Sequence, residues 1–141
     1  MRLWRLARVP HSALDGDGAR VFGGRWNSPG QPMVYCAGSA ALAVLEVRVH
    51  LDVPLELLPE DYRLFGIEIG NVACEDAPLT ALESPRSHGD SWLAARHTAL
   101  LRVPSLIVPE ERNVLINPLH PDAQRIQIVS QRAFTFDPRL F

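Results

Sequence analysis

The chain has 141 residues, of which 47% are hydrophobic and 21% charged, and its net charge is -2. This length predicts a single domain spanning residues 1–141 with a substantial core, and the balanced charge argues against nucleic-acid binding through bulk electrostatics. The two cysteines do not make a disulfide scaffold. With no charged apolar leader and no run of about 18 apolar residues, we expect a soluble, cytoplasmic protein without membrane contact.

The first half of the chain predicts short strands around one buried helix. Ser39 is a good N-cap, and nine of the twelve residues at 40–51 are apolar, which is typical of a helix buried on most sides. Within that helix, Glu46 and His50 are four residues apart and share a face. Strands are predicted at 3–6, 33–37 and 62–69, and a loop is predicted at 11–24.

The second half of the chain predicts more turns, and the twelve prolines of the sequence indicate many short elements. A loop is predicted at 71–89, followed by a helix at 92–101 that Asp90 or Ser91 would cap. Short apolar strands are predicted at 103–109, 113–118, 126–129 and 134–136. Because strands and helices do not alternate regularly, the pattern predicts an α+β fold with a mostly antiparallel sheet core and a few helices.

The segment 23–30 is the most unusual stretch of the chain. Two glycines precede Arg25, Trp26 and Asn27, and the sequence at 28–31 fits a type II turn. A tight loop that holds these three side chains in fixed relation suits ligand binding. Arg25 could bind a phosphate or carboxylate with two parallel hydrogen bonds, or it could be a solvent-exposed loop residue.

Three further residues are candidates for chemistry. Glu46 lies in an apolar helix, where a carboxylate is costly to bury without a partner. It could be functional, lie on an exposed edge, or form a structural ion pair with Arg25 or Arg48. Tyr35 could face a cleft or the core. Ser105 lies in an apolar, proline-bounded strand, where its hydroxyl would have to bond to backbone or ligand.

The remaining motifs exclude several kinds of site. The five histidines show no metal-ligand spacing and the two cysteines are far apart, so no catalytic metal is predicted. No Walker or Rossmann glycine pattern is present, and no nucleophile elbow surrounds Ser105. Residue chemistry alone therefore predicts an α+β domain with an Arg25/Glu46 site on a glycine-rich loop.

An ordered set of short blocks resembles the RES domain family over essentially the whole chain. The blocks are Leu3-Trp4-Arg5, the segment 23–30, Val34-Tyr35, Leu45-Glu46-Val47, Val103-Pro104-Ser105, the segment 113–118, His120-Pro121 and the segment 137–141. The resemblance implies an ADP-ribosyltransferase-like fold. It also implies a toxin of a bacterial type II toxin–antitoxin module, paired with an Xre-like helix-turn-helix antitoxin and without direct nucleic-acid contact.

The same resemblance implies an activity and a set of site residues. The activity is degradation of NAD+ by hydrolysis or phosphorolysis of the nicotinamide–ribose bond, which arrests growth; NAD+ is the substrate and no cofactor is expected. By resemblance, Arg25, Glu46 and Ser105 are catalytic, and Arg25, Tyr35, Trp26 and Asn27 bind the substrate. A protein ADP-ribosyltransferase and a non-enzymatic antitoxin-binding domain remain alternatives, and a homodimer within a toxin–antitoxin complex is left open.

Overall fold

The computed structural model describes all residues, 1–141, and its strands form one seven-stranded sheet. The strands and α-helices in chain order are β1 (Arg2–Arg8), α1 (Asp17–Phe22), β2 (Val34–Ala37), α2 (Ala40–Arg48), β3 (Tyr62–Glu68), β4 (Cys74–Asp76), α3 (Pro85–Ala95), β5 (Leu100–Pro104), β6 (Arg112–Ile116) and β7 (Gln127–Ala133). The strand order is β4-β5-β6-β2-β1-β3-β7, and only the β4–β5 pair is parallel. The predicted α+β class with a mostly antiparallel sheet is confirmed.

The centre of the sheet is opened between β1 and β2. Strand β1 pairs with β3 along its full length, and β2 pairs with β6 along its own. Between β1 and β2 there is a single register pair, Trp4 with Ala37. Neighbouring strands normally share a continuous ladder, so this one-residue contact leaves the facing parts of β1 and β2 free to line a cleft.

Helices α2 and α3 pack against apolar side chains of the sheet. Leu42 and Ala43 of α2 are buried with Leu6 and Leu64, and α3 is buried through Trp92 and Leu93. Ser39 caps α2 as predicted, since its Oγ accepts a hydrogen bond from the Leu42 amide at 3.1 Å. This cap and the apolar contacts fix α2, the helix that carries Glu46, against the opened sheet. None of the helices reaches the length and hydropathy that a membrane span requires.

The bounds predicted for the second helix, 92–101, were wrong. The structure has α3 at Pro85–Ala95, so the helix begins inside the predicted loop 71–89 and ends before the predicted bound of 101, and the apolar residues from Leu100 onward form β5 instead. Pro85 suits the first helical turn because its missing N–H would be unpaired there anyway. Arg96, in the left-handed conformation with φ 55°, ends the helix.

Other differences involve short elements. The predicted loop 11–24 contains α1, and the loop 71–89 also contains β4. The apolar run 103–109 leaves the sheet after Pro104, and residues 134–136 lie beyond the end of β7. In each case three to seven residues carry too little periodicity to distinguish strand, helix and turn.

Candidate active site

A cleft of about 890 Å³ lies where β1 and β2 separate. This volume is within the range typical of small-molecule sites, about 300–1,000 Å³. Its lining is mainly apolar, with the aromatic ring of Phe22 at one edge. The charged and polar lining side chains are Arg5, Arg25, Tyr35, Cys36, Glu46, His50, Arg86 and Asn113.

Glu46 presents a fixed carboxylate to this cleft. Its Oε1 accepts two hydrogen bonds of 2.8 Å, from Ser105 Oγ and from Asn113 Nδ2. Both donors are uncharged, and no ion pair involves Glu46. Arg48, the base nearest in sequence, donates to the Leu140 carbonyl and lies over the Phe141 ring. The interpretation of Glu46 as half of a structural ion pair is therefore wrong, and its Oε2 has no donor from the protein.

Ser105 is buried next to Glu46 and does not line the cleft. It is 1% exposed, and its Oγ accepts hydrogen bonds from the amides of Ile107 and Val108, both at 3.1 Å. The hydroxyl hydrogen is thereby directed to Glu46. The predicted bonding of this hydroxyl to backbone is observed. In this geometry Ser105 orients the carboxylate of Glu46. Direct contact of Ser105 with substrate stays a prediction.

Asn113 is a site residue that sequence reasoning missed. It lies in β6 opposite Ala37 of β2. Only its amide nitrogen can donate to a carboxylate, so the bond to Glu46 fixes the side-chain orientation, and its buried Oδ1 has no partner. The segment 113–118 was predicted as a short apolar strand and belongs to the blocks that resemble the family, but no local signal marked its first residue as the neighbour of Glu46.

The loop that carries Arg25 is held by a small hydrogen-bond network. Asn27 is fully buried, and its Nδ2 donates to the carbonyls of Ala19 and Gln31, both at 2.8 Å. Tyr35 Oη donates to Asn27 Oδ1 at 2.6 Å and accepts from the Trp26 amide at 3.0 Å. Arg25 itself is exposed at the cleft and has no protein partner in this network.

Two glycines make this loop geometry available. A Cβ on Gly24 would lie 2.5 Å from Tyr35 Oη, so a side chain there would push the tyrosine away from the loop. Gly30 has φ 95°, and the Gln31 amide donates to the Ser28 carbonyl at 3.1 Å. These are the features of the predicted type II turn.

Trp26 and Tyr35 line the cleft and also pack against the protein, whereas Asn27 lies outside the cleft lining. Trp26 is 3% exposed and packs in the core cluster that contains Trp92. Burial raises the pKa of Tyr35 to about 12, so its hydroxyl stays protonated and can donate to Asn27. Both Trp26 and Asn27 therefore hold the loop in place, and a direct contact of these two side chains with substrate stays a prediction.

Arg5 is the second site residue that sequence reasoning missed. It lies in the middle of β1, lines the cleft, and its buried Nη1 has no hydrogen-bond partner. Burial lowers the pKa of its guanidinium, while nearby Cys36 and Asp15 act in the opposite direction. A buried unpaired donor is costly, so this N–H is available for an anionic ligand. An arginine inside the strand predicted at 3–6 was the signal that could have identified it.

The cleft is therefore lined by three arginines and a single carboxylate. Arg5, Arg25 and Arg86 all line it, and Arg86 also donates to the Gly24 carbonyl at 3.0 Å. Guanidinium groups bind phosphate oxygens with paired hydrogen bonds. The arrangement suits a phosphate-bearing ligand whose reactive carbon is brought to Glu46.

The sequence profile of the RES domain matches residues 2–137. The chain belongs to the RES domain family. A relative from Sphingobium sp. (strain YBL2), the Prs ADP-ribosylating toxin, is 41% identical over 152 residues, covering 97% of this chain and 94% of the relative. Toxin Res of Pseudomonas putida (KT2440) is 40% identical over 149 residues, covering 100% of both chains. The NAD(+) phosphorylase MbcT of Mycobacterium tuberculosis is 32% identical over 121 residues, covering 75% of this chain and 65% of MbcT.

A solved structure shares the fold of this RES protein. The crystal structure of the M. tuberculosis MbcT–MbcA toxin–antitoxin complex contains a chain that superposes with a TM-score of 0.76 at 21% identity. The match covers 99% of this chain and 85% of that one. The family resemblance read from the sequence blocks is confirmed, and so is the predicted fold class.

Proposed function

We propose that this RES protein is the toxin of a bacterial toxin–antitoxin module and that it cleaves the nicotinamide–ribose bond of NAD+ in the cytoplasm. The observation that carries this proposal is the Glu46 carboxylate, with Oε1 fixed by Ser105 and Asn113 and Oε2 free at a cleft lined by guanidinium groups. The names of the relatives support both an NAD+-consuming activity and a toxin role.

The proposed reaction breaks the bond between the ribose C1 and the nicotinamide nitrogen. The electron pair leaves with nicotinamide, which becomes neutral, and positive charge develops on the ribose ring. A carboxylate at this position stabilises that oxocarbenium character, as the carboxylates of glycosidases do. Because nicotinamide leaves as a neutral molecule, no general acid is required, which is consistent with a cleft that contains one carboxylate.

The guanidinium groups supply the proposed binding energy for the pyrophosphate. Arg5 and Arg25 have free donors at the cleft, and Arg86, which donates to the Gly24 carbonyl, adds a further positive charge to the lining. Tyr35 also lines the cleft, and its ring provides an apolar surface for the ribose or nicotinamide. In this arrangement the arginines hold the substrate, and Glu46 acts on the ribose carbon.

The acceptor of the ADP-ribosyl group decides the product. Water would give ADP-ribose and release a proton, whereas inorganic phosphate would give ADP-ribose 1''-phosphate. Transfer of the ADP-ribosyl group to a protein side chain is a second candidate reaction. The 41% identity to an ADP-ribosylating toxin favours this reaction over a purely non-enzymatic role.

We also propose a partner. A toxin of this kind must be kept inactive by an antitoxin, and the MbcT–MbcA toxin–antitoxin complex contains a chain with the same fold. By the family resemblance, the antitoxin proposed here is an Xre-like helix-turn-helix protein. The proposal requires no cofactor, since NAD+ is consumed as a substrate.

The experiment that tests the proposal is incubation of the purified chain with NAD+, with and without phosphate, followed by mass analysis of the products. Free nicotinamide with ADP-ribose indicates hydrolysis, and ADP-ribose 1''-phosphate formed only with phosphate indicates phosphorolysis. NAD+ that stays intact contradicts NAD+ cleavage with small acceptors. A search for labelled proteins with labelled NAD+ then tests the second candidate.

A further inference from the structure

Side chains of helix α3 form hydrogen bonds with the Arg25 loop, residues 23–30, on both sides of Arg25. On one side, the guanidinium of Arg86 donates to the Gly24 carbonyl at 3.0 Å. On the other side, the carboxylate of Asp90 accepts the Ser28 amide at 2.9 Å and the Ser28 hydroxyl at 2.5 Å. The two anchor points are one residue before and three residues after Arg25.

The helix also packs directly against the backbone between these anchors. Gly89 is buried, and a Cβ at this position would lie 1.8 Å from the Trp26 carbonyl oxygen. The His88 ring meets the Trp26 ring edge-on, with centroids 6.2 Å apart. The absence of a side chain at Gly89 therefore allows the middle of α3 to touch the loop itself.

These contacts matter because Arg25 has no protein partner of its own. Its guanidinium position depends on the backbone of an exposed, glycine-rich loop, which would otherwise be mobile. The Tyr35–Asn27 network fixes the inner part of that loop. Asp90 fixes its outer turn through both polar groups of Ser28, and a charged acceptor makes these bonds stronger than neutral ones.

Resting on the proposed function, we infer that Asp90 is a positioning residue for Arg25: it holds the loop so that the guanidinium is pre-aligned for the substrate's phosphates. Asp90 lies outside the cleft lining, so it acts through Ser28 and not by contact with the substrate. A pre-aligned binding group lowers the cost of ordering on binding. The role should therefore appear in substrate affinity more than in the chemical step.

The test compares Asp90→Ala and Asp90→Asn with a matched control, Asp76→Ala. Asp76 also accepts paired bonds from a neighbouring element, from Arg102 at 2.7 and 3.2 Å, but at the β4–β5 edge of the sheet. Asp90→Ala should raise the KM for NAD+ about tenfold, with kcat within about twofold. Asp90→Asn should restore the KM, because Oδ1 can accept from the Ser28 amide while Nδ2 donates to its hydroxyl. Asp76→Ala should leave KM unchanged.

A second measurement separates this inference from the proposed activity. Amide hydrogen exchange over residues 24–30 should be faster in Asp90→Ala than in Asp90→Asn or the wild type, whether or not NAD+ is consumed. If Asp90→Ala does not fold, Ser28→Ala removes one of the two bonds and should show the same direction of change. A folded Asp90→Ala with wild-type exchange and wild-type KM would overturn the inference. Equal KM increases in the Ala and Asn variants would also overturn it, because Asn can keep both hydrogen bonds to Ser28 and should therefore still hold the loop.

Discussion

At the scale of single residues, the partners of Glu46 distinguish it from a structural carboxylate. Ser105 and Asn113 are neutral, so they orient the carboxylate without neutralising its charge. Both converge on Oε1, and Oε2 remains open to a developing positive charge. Pre-organised groups of this kind need no rearrangement when the transition state forms.

Ser105 and Asn113, the two donors to Glu46, can be distinguished by how much the loss of each side chain lowers the stability of the protein. Ser105→Ala and Asn113→Ala should each lower kcat by about tenfold or more, because each removes one bond that orients Glu46. Ser105→Ala should also lower the free energy of unfolding by about 1–3 kcal/mol, since the Ile107 and Val108 amides lose their acceptor. Steady-state kinetics and urea unfolding measure both effects. Two variants with wild-type kcat would contradict the positioning role.

Arg25 should act mainly in binding. Arg25→Ala should raise the KM for NAD+ at least about tenfold, with little change in melting temperature, because an exposed guanidinium without protein partners contributes little to stability. Arg25→Lys should recover part of the affinity, since it keeps the charge but loses the paired geometry. Binding of ADP-ribose by calorimetry provides the same comparison without turnover. Unchanged affinity in Arg25→Ala would show that another group binds the phosphates.

The buried phenol of Tyr35 predicts a pH dependence of stability. Burial raises its pKa from 10.0 to about 12, and burial raises the pKa of Cys36 from 9.0 to about 12. Between pH 9 and 12 the folded chain keeps these protons while the unfolded chain loses them, so the free energy of unfolding falls as pH rises. Tyr35→Phe should make this fall shallower between pH 10 and 12. Denaturant unfolding across that range measures the slope, and an equal slope in both proteins would argue against a protonated, buried Tyr35.

At the scale of elements, α2 depends on its N-cap. Ser39 Oγ accepts from the Leu42 amide and donates to Glu111 Oε1 at 2.7 Å, so one hydroxyl ties the helix start to the turn before β6. Ser39→Ala should lower the free energy of unfolding by about 1 kcal/mol. The KM for NAD+ should not change, because Ser39 lies outside the cleft lining. Chemical denaturation and kinetics of the same preparation test both expectations.

Elements with a clear period or cap could be predicted from the sequence. The α2 region combines an N-cap with a long apolar run, and β1, β2 and β3 each contain a short run of apolar residues. The position of α3 was predicted wrongly because its first half, Pro-Arg-Ser-His-Gly-Asp, is polar and resembles a loop. That polarity has a tertiary cause, since Arg86, Gly89 and Asp90 contact the Arg25 loop and not an apolar core.

At the scale of the whole molecule, the candidate active-site cleft depends on contacts between distant parts of the chain. Arg25, Tyr35 and Glu46 lie close in sequence, and the family motifs pointed to them together. Arg5 and Asn113 come from opposite ends of the chain and reach the cleft only because β1, β2 and β6 are neighbours in the sheet. No local pattern predicts that β1 and β2 share a single register pair, so the opening itself could not be read from sequence.

The central claim is that the charge of Glu46 drives release of nicotinamide from NAD+. The most direct measurement is nicotinamide release by the wild type and by Glu46→Gln, with the melting temperature of each. Gln keeps an oxygen that can accept from Ser105 and Asn113, so the substitution removes the charge and leaves the geometry. We expect rapid release by the wild type and a rate at least about 100-fold lower in the variant, with a similar melting temperature. A folded Glu46→Gln protein that releases nicotinamide at the wild-type rate would contradict the account.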